Sequence, residues 1–104
     1  MRILSRSTLA AFWRSHADAE HALRAWIREV DHARWTSTAE IRKSFNAASF
    51  IGDKVVFNIG GNKYRLIVRT SYAVPSAQPP LNGLIRIIMI LTHSAYDDID
   101  ITKL

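Results

Sequence analysis

The sequence predicts an α+β domain in which N-terminal helices pack on one face of a small antiparallel β-sheet. Three observations lead there. Apolar residues recur at helical spacing through the first half, side chains alternate with period two through the second, and no linker separates the two regimes. A chain of 104 residues in that order reads as a single domain over residues 1–104.

Met1 to Leu4 predicts a short opening strand. From Ser7 onward Leu9, Phe12, Trp13 and His16 fall at i, i+3, i+4 and i+7, one stripe of a helix. Asp18 is placed to cap a second helix, with Ala19, Leu23, Trp26, Ile27 and Val30 on its buried side and Glu20, Arg24, Arg28 and Asp31 opposite. Ser37-Thr38-Ala39-Glu40 has the form of a capping box, Ser37 at the N-cap and Glu40 three residues on, opening a two-turn helix anchored by Ile41 and Phe45.

Two strands are expected next, Lys54–Ile59 and Asn62–Tyr72, joined by a two-residue turn at Gly60-Gly61. That register sets Asn58 against Lys63, Phe57 against Tyr64 and Val56 against Arg65. Alternation then gives one face Asn58, Lys63, Arg65 and Arg69, and the other Phe57, Ile59, Tyr64, Leu66 and Val68. The sheet is expected to have one dry face and one basic face. Val74–Gly83 carries Pro75, Pro79 and Pro80 and predicts a loop. Leu84–Leu91 is almost wholly apolar and is expected at the centre of the sheet, after which the chain turns polar.

Composition narrows the function classes. The net charge is +5 and the pI about 10.1, a surplus that suits a polyanionic partner, nucleic acid first. Cysteine is absent, which suits a reducing compartment. Met1–Ala11 has no signal-peptide pattern, and Leu84–Leu91, broken by Arg86, is far short of the roughly 20 residues that cross a bilayer. The expectation is a cytoplasmic protein with no membrane partner.

Two features carry chemistry. Lys63, Arg65 and Arg69 form a row of cations on one strand face, with Lys63 and Arg65 about 7 Å apart, near the spacing of successive phosphates. His93 directly follows the apolar strand, at a position where a scaffold holds a reactive group rigidly. His16, His21 and His32 read as surface residues, and no histidine has metal-ligand spacing with another, so no metal or other cofactor is expected. Gly60-Gly61 lacks the Lys-Ser/Thr of a phosphate-binding loop, and no Gly-x-Ser-x-Gly elbow is present. Asp97, Asp98 and Asp100 could bind a divalent ion, but three carboxylates in this position read rather as a solvated cap or a contact for a basic partner.

The run Val56-Phe57-Asn58-Ile59-Gly60-Gly61-Asn62-Lys63-Tyr64-Arg65-Leu66, followed by Thr92-His93-Ser94-Ala95-Tyr96-Asp97, resembles the HigB toxins of bacterial toxin–antitoxin pairs. Phe12-Trp13, Asp18-Ala19-Glu20, Leu23-Arg24-Ala25-Trp26 and Ile41-Arg42-Lys43-Ser44-Phe45 are similar to that family's helical region. The resemblance implies a RelE-like fold and an endoribonuclease that cuts mRNA on the translating ribosome. It also implies neutralisation by a HigA-type helix-turn-helix antitoxin. Asn62, Arg65, His93, Tyr96 and Asp97 match motif positions. The family's usual Tyr-x-Arg pair in the preceding strand reads Arg86 and Ile88 here. Both positions fall on one face by alternation, which makes Arg86 the cation available in place of the missing arginine.

Metal-independent RNA cleavage needs a base for the 2′-OH, an acid for the departing 5′-oxygen and cations around the phosphorane. It yields a 2′,3′-cyclic phosphate. An imidazole changes charge near neutral pH, so His93 is the candidate acid or base. Arg65 and Lys63 are the candidate charge stabilisers, and Tyr96 either stacks on a base or holds His93. Asn58, Asn62, Arg69, Arg86 and Asp97 are the candidate RNA contacts. Two other classes fit the same face: a module that grips RNA or the ribosome without cutting it, and a subunit whose charge serves mainly an acidic antitoxin.

Overall fold

The helical stripe folds where it was expected. The computed structural model describes residues 1–104, opening with strand β1 (Arg2–Leu4) and helices α1 (Arg6–Ser15) and α2 (Glu20–His32), the latter entered through a 3-10 turn at Ala17–Ala19. Leu9, Ala19, Leu23, Trp26 and Val30 are buried, so the apolar faces read from the spacing are those that pack. Asp18 does not cap α2: the N-cap is Ala19, which has no side-chain acceptor, and the Asp18 carboxylate is engaged by Lys63 and Tyr64.

Helix α3 (Thr38–Ser44) follows Ser37 as expected, but the capping box is displaced by one residue. Glu40 accepts the backbone N–H of Thr36 at 2.7 Å and the Thr36 hydroxyl, and Ser37 makes no cap bond. Those two bonds hold the Glu40 carboxyl below its ordinary pKa.

The sheet has five strands in the order β1-β5-β4-β3-β2, where β2 is Ser49–Ile51, β3 Lys54–Ile59, β4 Tyr64–Ser71 and β5 Leu84–Thr92. β2 through β5 are antiparallel, and β1 adds a parallel pair against β5. The α+β class with helices on one face holds. The central position belongs to β4 rather than to the apolar β5, which lies one place out. β2 is too short and mixed to show a pattern in the sequence.

The β3–β4 turn also differs. It contains Gly60, Gly61, Asn62 and Lys63, so Ile59 pairs with Tyr64 and Asn58 with Arg65, a shift of two from the expected register. A shift of two preserves which face each side chain takes. It does remove Lys63 from the strand. Both glycines have positive φ, 64° and 69°, a conformation costly to any residue with a Cβ.

On the helix side, Val55, Phe57, Ile59, Tyr64, Leu66, Val68, Ile85 and Ile87 meet Leu9, Leu23, Trp26, Val30 and Ile41. Phe57 is the shared neighbour of three rings, with centroids 5.4 Å from Trp26, 5.1 Å from Phe45 and 6.4 Å from Trp35. Truncation of Phe57 to alanine is expected to cost about 3–5 kcal/mol in urea denaturation.

The opposite face is not the open basic surface the alternation suggested. Val56, Ile67, Lys54 and Arg65 on it are all buried. Helix α4 (His93–Asp97) and a 3-10 turn at Ile101–Lys103 follow β5, and Arg69 Nη2 donates to the Leu104 backbone oxygen at 2.7 Å. That bond draws the segment after α4 across this face, with half-buried Ile99, Ile101 and Leu104 as its apolar side chains.

Between β4 and β5 the register slips at Ile67 and Val68 of β4: Ile67 pairs with Met89 and Val68 with Ile87, leaving Ile88 of β5 without a partner. Simple alternation from Arg86 to Ile88 is therefore broken by a bulge. The Val74–Gly83 segment is a loop, drawn together by a bridge between Val74 and Leu81. No helix is long and apolar enough to cross a membrane.

Candidate nucleic-acid interface

The turn after β3 organises the site. Arg65 Nη2 donates to Asn62 Oδ1 at 2.7 Å, and Nη1 donates to the backbone oxygens of Asn62 and Tyr64 at 3.3 and 3.1 Å. The Gly-Gly-Asn-x-x-Arg spacing thus has a local cause: two left-handed glycines turn the chain so that Asn62 meets the guanidinium three residues on. None of the chain's ion pairs includes Arg65, which is 8% exposed. Its charge is solvated by neutral dipoles and remains uncompensated. Three of its five N–H groups are used, leaving two for an anion.

The same turn positions α4. The His93 backbone N–H donates to the Lys63 carbonyl at 2.9 Å, and Thr92, paired with Tyr64 across the ladder, caps the helix by accepting Ala95 N–H at 3.2 Å. His93 Nε2 lies 3.5 Å from Asp97 Oδ2, one helical turn away, with 40% of the His93 side chain exposed. Tyr96, half-buried, sits three residues after His93 on the same helix, where side chains are neighbours.

Lys63 is not a free cation. Its Nζ donates to Asp18 Oδ2 at 2.9 Å, and the Tyr64 hydroxyl donates to the other Asp18 oxygen. Tyr64 in turn lies edge-on to Phe12 and His16, with centroids at 5.2 and 5.6 Å. The Tyr64 hydroxyl, then Lys63, hold the Asp18 carboxyl below the usual carboxylate range, and the same bond raises the Tyr64 phenol. His16, read as a surface residue, instead stacks on Phe12 at 4.1 Å within this aromatic group. Asp18 is the residue the sequence reading missed. The only local signal it gives is that of a helix cap.

The cation row divides. Arg69 pairs across the sheet with Arg86, at the far ends of β4 and β5 from the turn. Arg69 Nε donates to Asp53 Oδ2 at 3.1 Å, and the buried Lys54 approaches Asp53 Oδ1 at 3.4 Å. Burial raises the Asp53 pKa, but Lys54 and Arg69 outweigh it and the net direction is down. Arg86 is exposed, with no ion-pair partner. Asn58 is exposed opposite Arg65. The fold therefore brings Asn58, Asn62, Lys63, Arg65, His93, Tyr96 and Asp97 to one end of the sheet and leaves Arg69 and Arg86 at the other. Asp97, Asp98 and Asp100 do not converge as a metal-holding group.

Among curated proteins none matches the chain. A family model described as HigB_toxin, the RelE-like toxic component of a toxin–antitoxin system, matches residues 19–99. Those residues include the turn, the Arg65 cradle, the Thr-His motif and Asp97, so the match covers the assembled end of the sheet as well as most of the helical layer. The chain belongs to the HigB toxin family, RelE-like toxins that act opposite an antitoxin partner.

Proposed function

We propose that this toxin is a metal-independent endoribonuclease that cleaves mRNA on the translating ribosome, neutralised by a HigA-type antitoxin. The observation that carries the reading is Arg65: a nearly buried, uncompensated cation held by Asn62 on a turn whose Lys63 carbonyl anchors the helix bearing His93. A fixed guanidinium with two spare N–H groups suits the two non-bridging oxygens of a phosphorane. His93, on the helix fastened to that turn, serves as acid or base, and Asp97 orients its ring. The nucleophile is the RNA's own 2′-OH. It attacks the adjacent phosphorus, the 5′-oxygen leaves with a proton, and the products are a 2′,3′-cyclic phosphate and a 5′-OH.

The test is induced expression in a bacterium, with growth followed and mRNA 5′ ends mapped, for the wild type and His93→Ala. Growth arrest with new 5′-OH ends that vanish in the variant supports the nuclease. One observation favours a second reading: the position where the family carries an arginine is Ile88, uncharged and at a bulge. Arrest without new RNA ends, undiminished in His93→Ala, would establish a ribosome-binding module that blocks translation without cutting.

A further inference from the structure

β3 is paired along only half its outer side. β2 covers Lys54, Val55 and Val56, and no strand lies beside Phe57, Asn58 and Ile59 on that edge. The direction of the main-chain groups follows from the hairpin. Ile51 and Lys54 close the Gly52-Asp53 turn as a hydrogen-bonded pair, so Lys54 and Val56 face β2 while Val55, Phe57 and Ile59 face β4. Asn58 N–H and C=O therefore point to the open side, and the residue is exposed.

A groove of about 400 Å³ runs alongside this edge, lined by Ala22, Ala25 and Trp26 of α2, Phe45 after α3, and Asn58 and Ile59. Trp26 is 2% exposed, yet its indole Nε1 has no hydrogen-bond partner. A buried donor without an acceptor is uncommon. The ring belongs to the groove wall while the nitrogen itself is closed off, so it senses an occupant through the ring and not by a direct bond. Glu29 also lines the groove, a carboxylate that repels phosphate.

We propose that this edge and groove receive an extended strand of the antitoxin. The strand pairs through its main chain with Asn58 and sets one apolar side chain between Ala25 and Phe45, over the wall that holds the Trp26 ring. An open strand edge selects for polypeptide main chain. Glu29 disfavours the alternative, an RNA backbone. The proposal rests on the toxin reading only in identifying the polypeptide as the antitoxin.

The experiment uses the full chain and the antitoxin encoded beside it. Calorimetry measures affinity for the wild type, Ala25→Trp, which fills the groove from an exposed position, and Asn58→Pro, which removes the outward N–H without taking a hydrogen bond from the β4 ladder, with Asn58→Ala as the control for the lost carboxamide. Ala25→Trp and Asn58→Pro are expected to bind about tenfold or more weakly, the size of a lost hydrogen bond with its adjoining contact. Ala25→Trp should still arrest growth when expressed alone, and co-expressed antitoxin should no longer rescue it. As a measurement independent of variant folding, the Trp26 indole N–H resonance of the wild type should shift on adding antitoxin, because the ring lines the groove. Unchanged affinity in Ala25→Trp or in Asn58→Pro overturns the proposal. So does an unmoved indole resonance, or loss of toxicity in a folded Ala25→Trp, which would make the groove an RNA site. Failure of the wild type to cut RNA would sink the nuclease reading and leave the binding result standing.

Discussion

The Asp18 carboxylate and the Lys63 ammonium, 45 residues apart in the chain, meet at 2.9 Å, and the Tyr64 hydroxyl closes the contact from the second oxygen. This joins the helical layer to the turn that holds Arg65 and anchors His93. Lys63 is therefore partly neutralised in the free protein, and a phosphate must compete with Asp18 to engage it.

Asp18 makes stability depend on pH in a defined direction. Its folded pKa lies below the unfolded value of 3.8, so its contribution is complete well above that value and disappears as pH falls through the folded pKa. Thermal melts of the wild type and Asp18→Asn should differ by a constant amount between pH 7 and about 5, and converge in the acid range. A gap that stays constant down to pH 2 would show that the carboxylate's charge contributes nothing.

His93→Ala should lower the cleavage rate by about 10²- to 10⁴-fold. Its melting temperature should stay close to wild type, because the ring is 40% exposed and the anchoring bond to Lys63 is made by the backbone N–H. Asp97→Asn should have a smaller effect and shift the pH–rate profile, since it alters only the orienting partner. Single-turnover cleavage of a short RNA on stalled ribosomes is the measurement.

Arg65 and Arg69 should separate chemistry from binding. Arg65→Ala strips Asn62 of its donor and should lose about 1–3 kcal/mol of stability as well as cleavage at saturating ribosome. Arg65→Lys cannot restore the fork of N–H groups and should rescue little. Arg69→Ala lies about 13 Å away along the strand and should leave the saturated rate intact, while lowering the salt dependence of ribosome affinity by about one phosphate contact. Proportional loss of affinity and saturated rate in both variants would mean one undivided electrostatic surface.

Gly61 has φ 69° and nothing within 4 Å of where a Cβ would stand, so substitution there tests the backbone alone. Gly61→Ala should destabilise by about 1 kcal/mol in urea, Gly61→Val by more, and Gly61→Asn by less, because asparagine visits this conformation readily. Equal stability of all three would remove the turn's conformation as a constraint on the Arg65 cradle.

The helical layer was legible because its stripes are strong: Leu23, Trp26 and Val30 could lie on only one side of α2. The faces of β3 and β4 were legible too, since an error of two residues in register leaves alternation intact. The turn itself was misread because a Gly-Gly pair satisfies a two-residue hairpin as readily as the opening of a longer one. Asp18 and Asp53 were invisible as site residues, for their partners lie far along the chain, and helix-cap and turn signals account for them fully. Burial of Lys54 and Arg65 was missed for a related reason. Nothing in a polar C-terminal sequence announces that it returns over the sheet.

The unpaired Ile88 works as a change of phase. Before it, odd-numbered residues of β5, Ile85 and Ile87, point into the helical core; after it, even-numbered Ile90 does, opposite Leu66. Were Ile88 instead paired like its neighbours, with no bulge, the strand would turn Met89 and Leu91 inward and rotate everything downstream by half a turn. Thr92 would lose its place beside Tyr64, and with it the cap that starts the helix of His93. One extra residue in the strand thus sets the direction in which the histidine leaves the sheet.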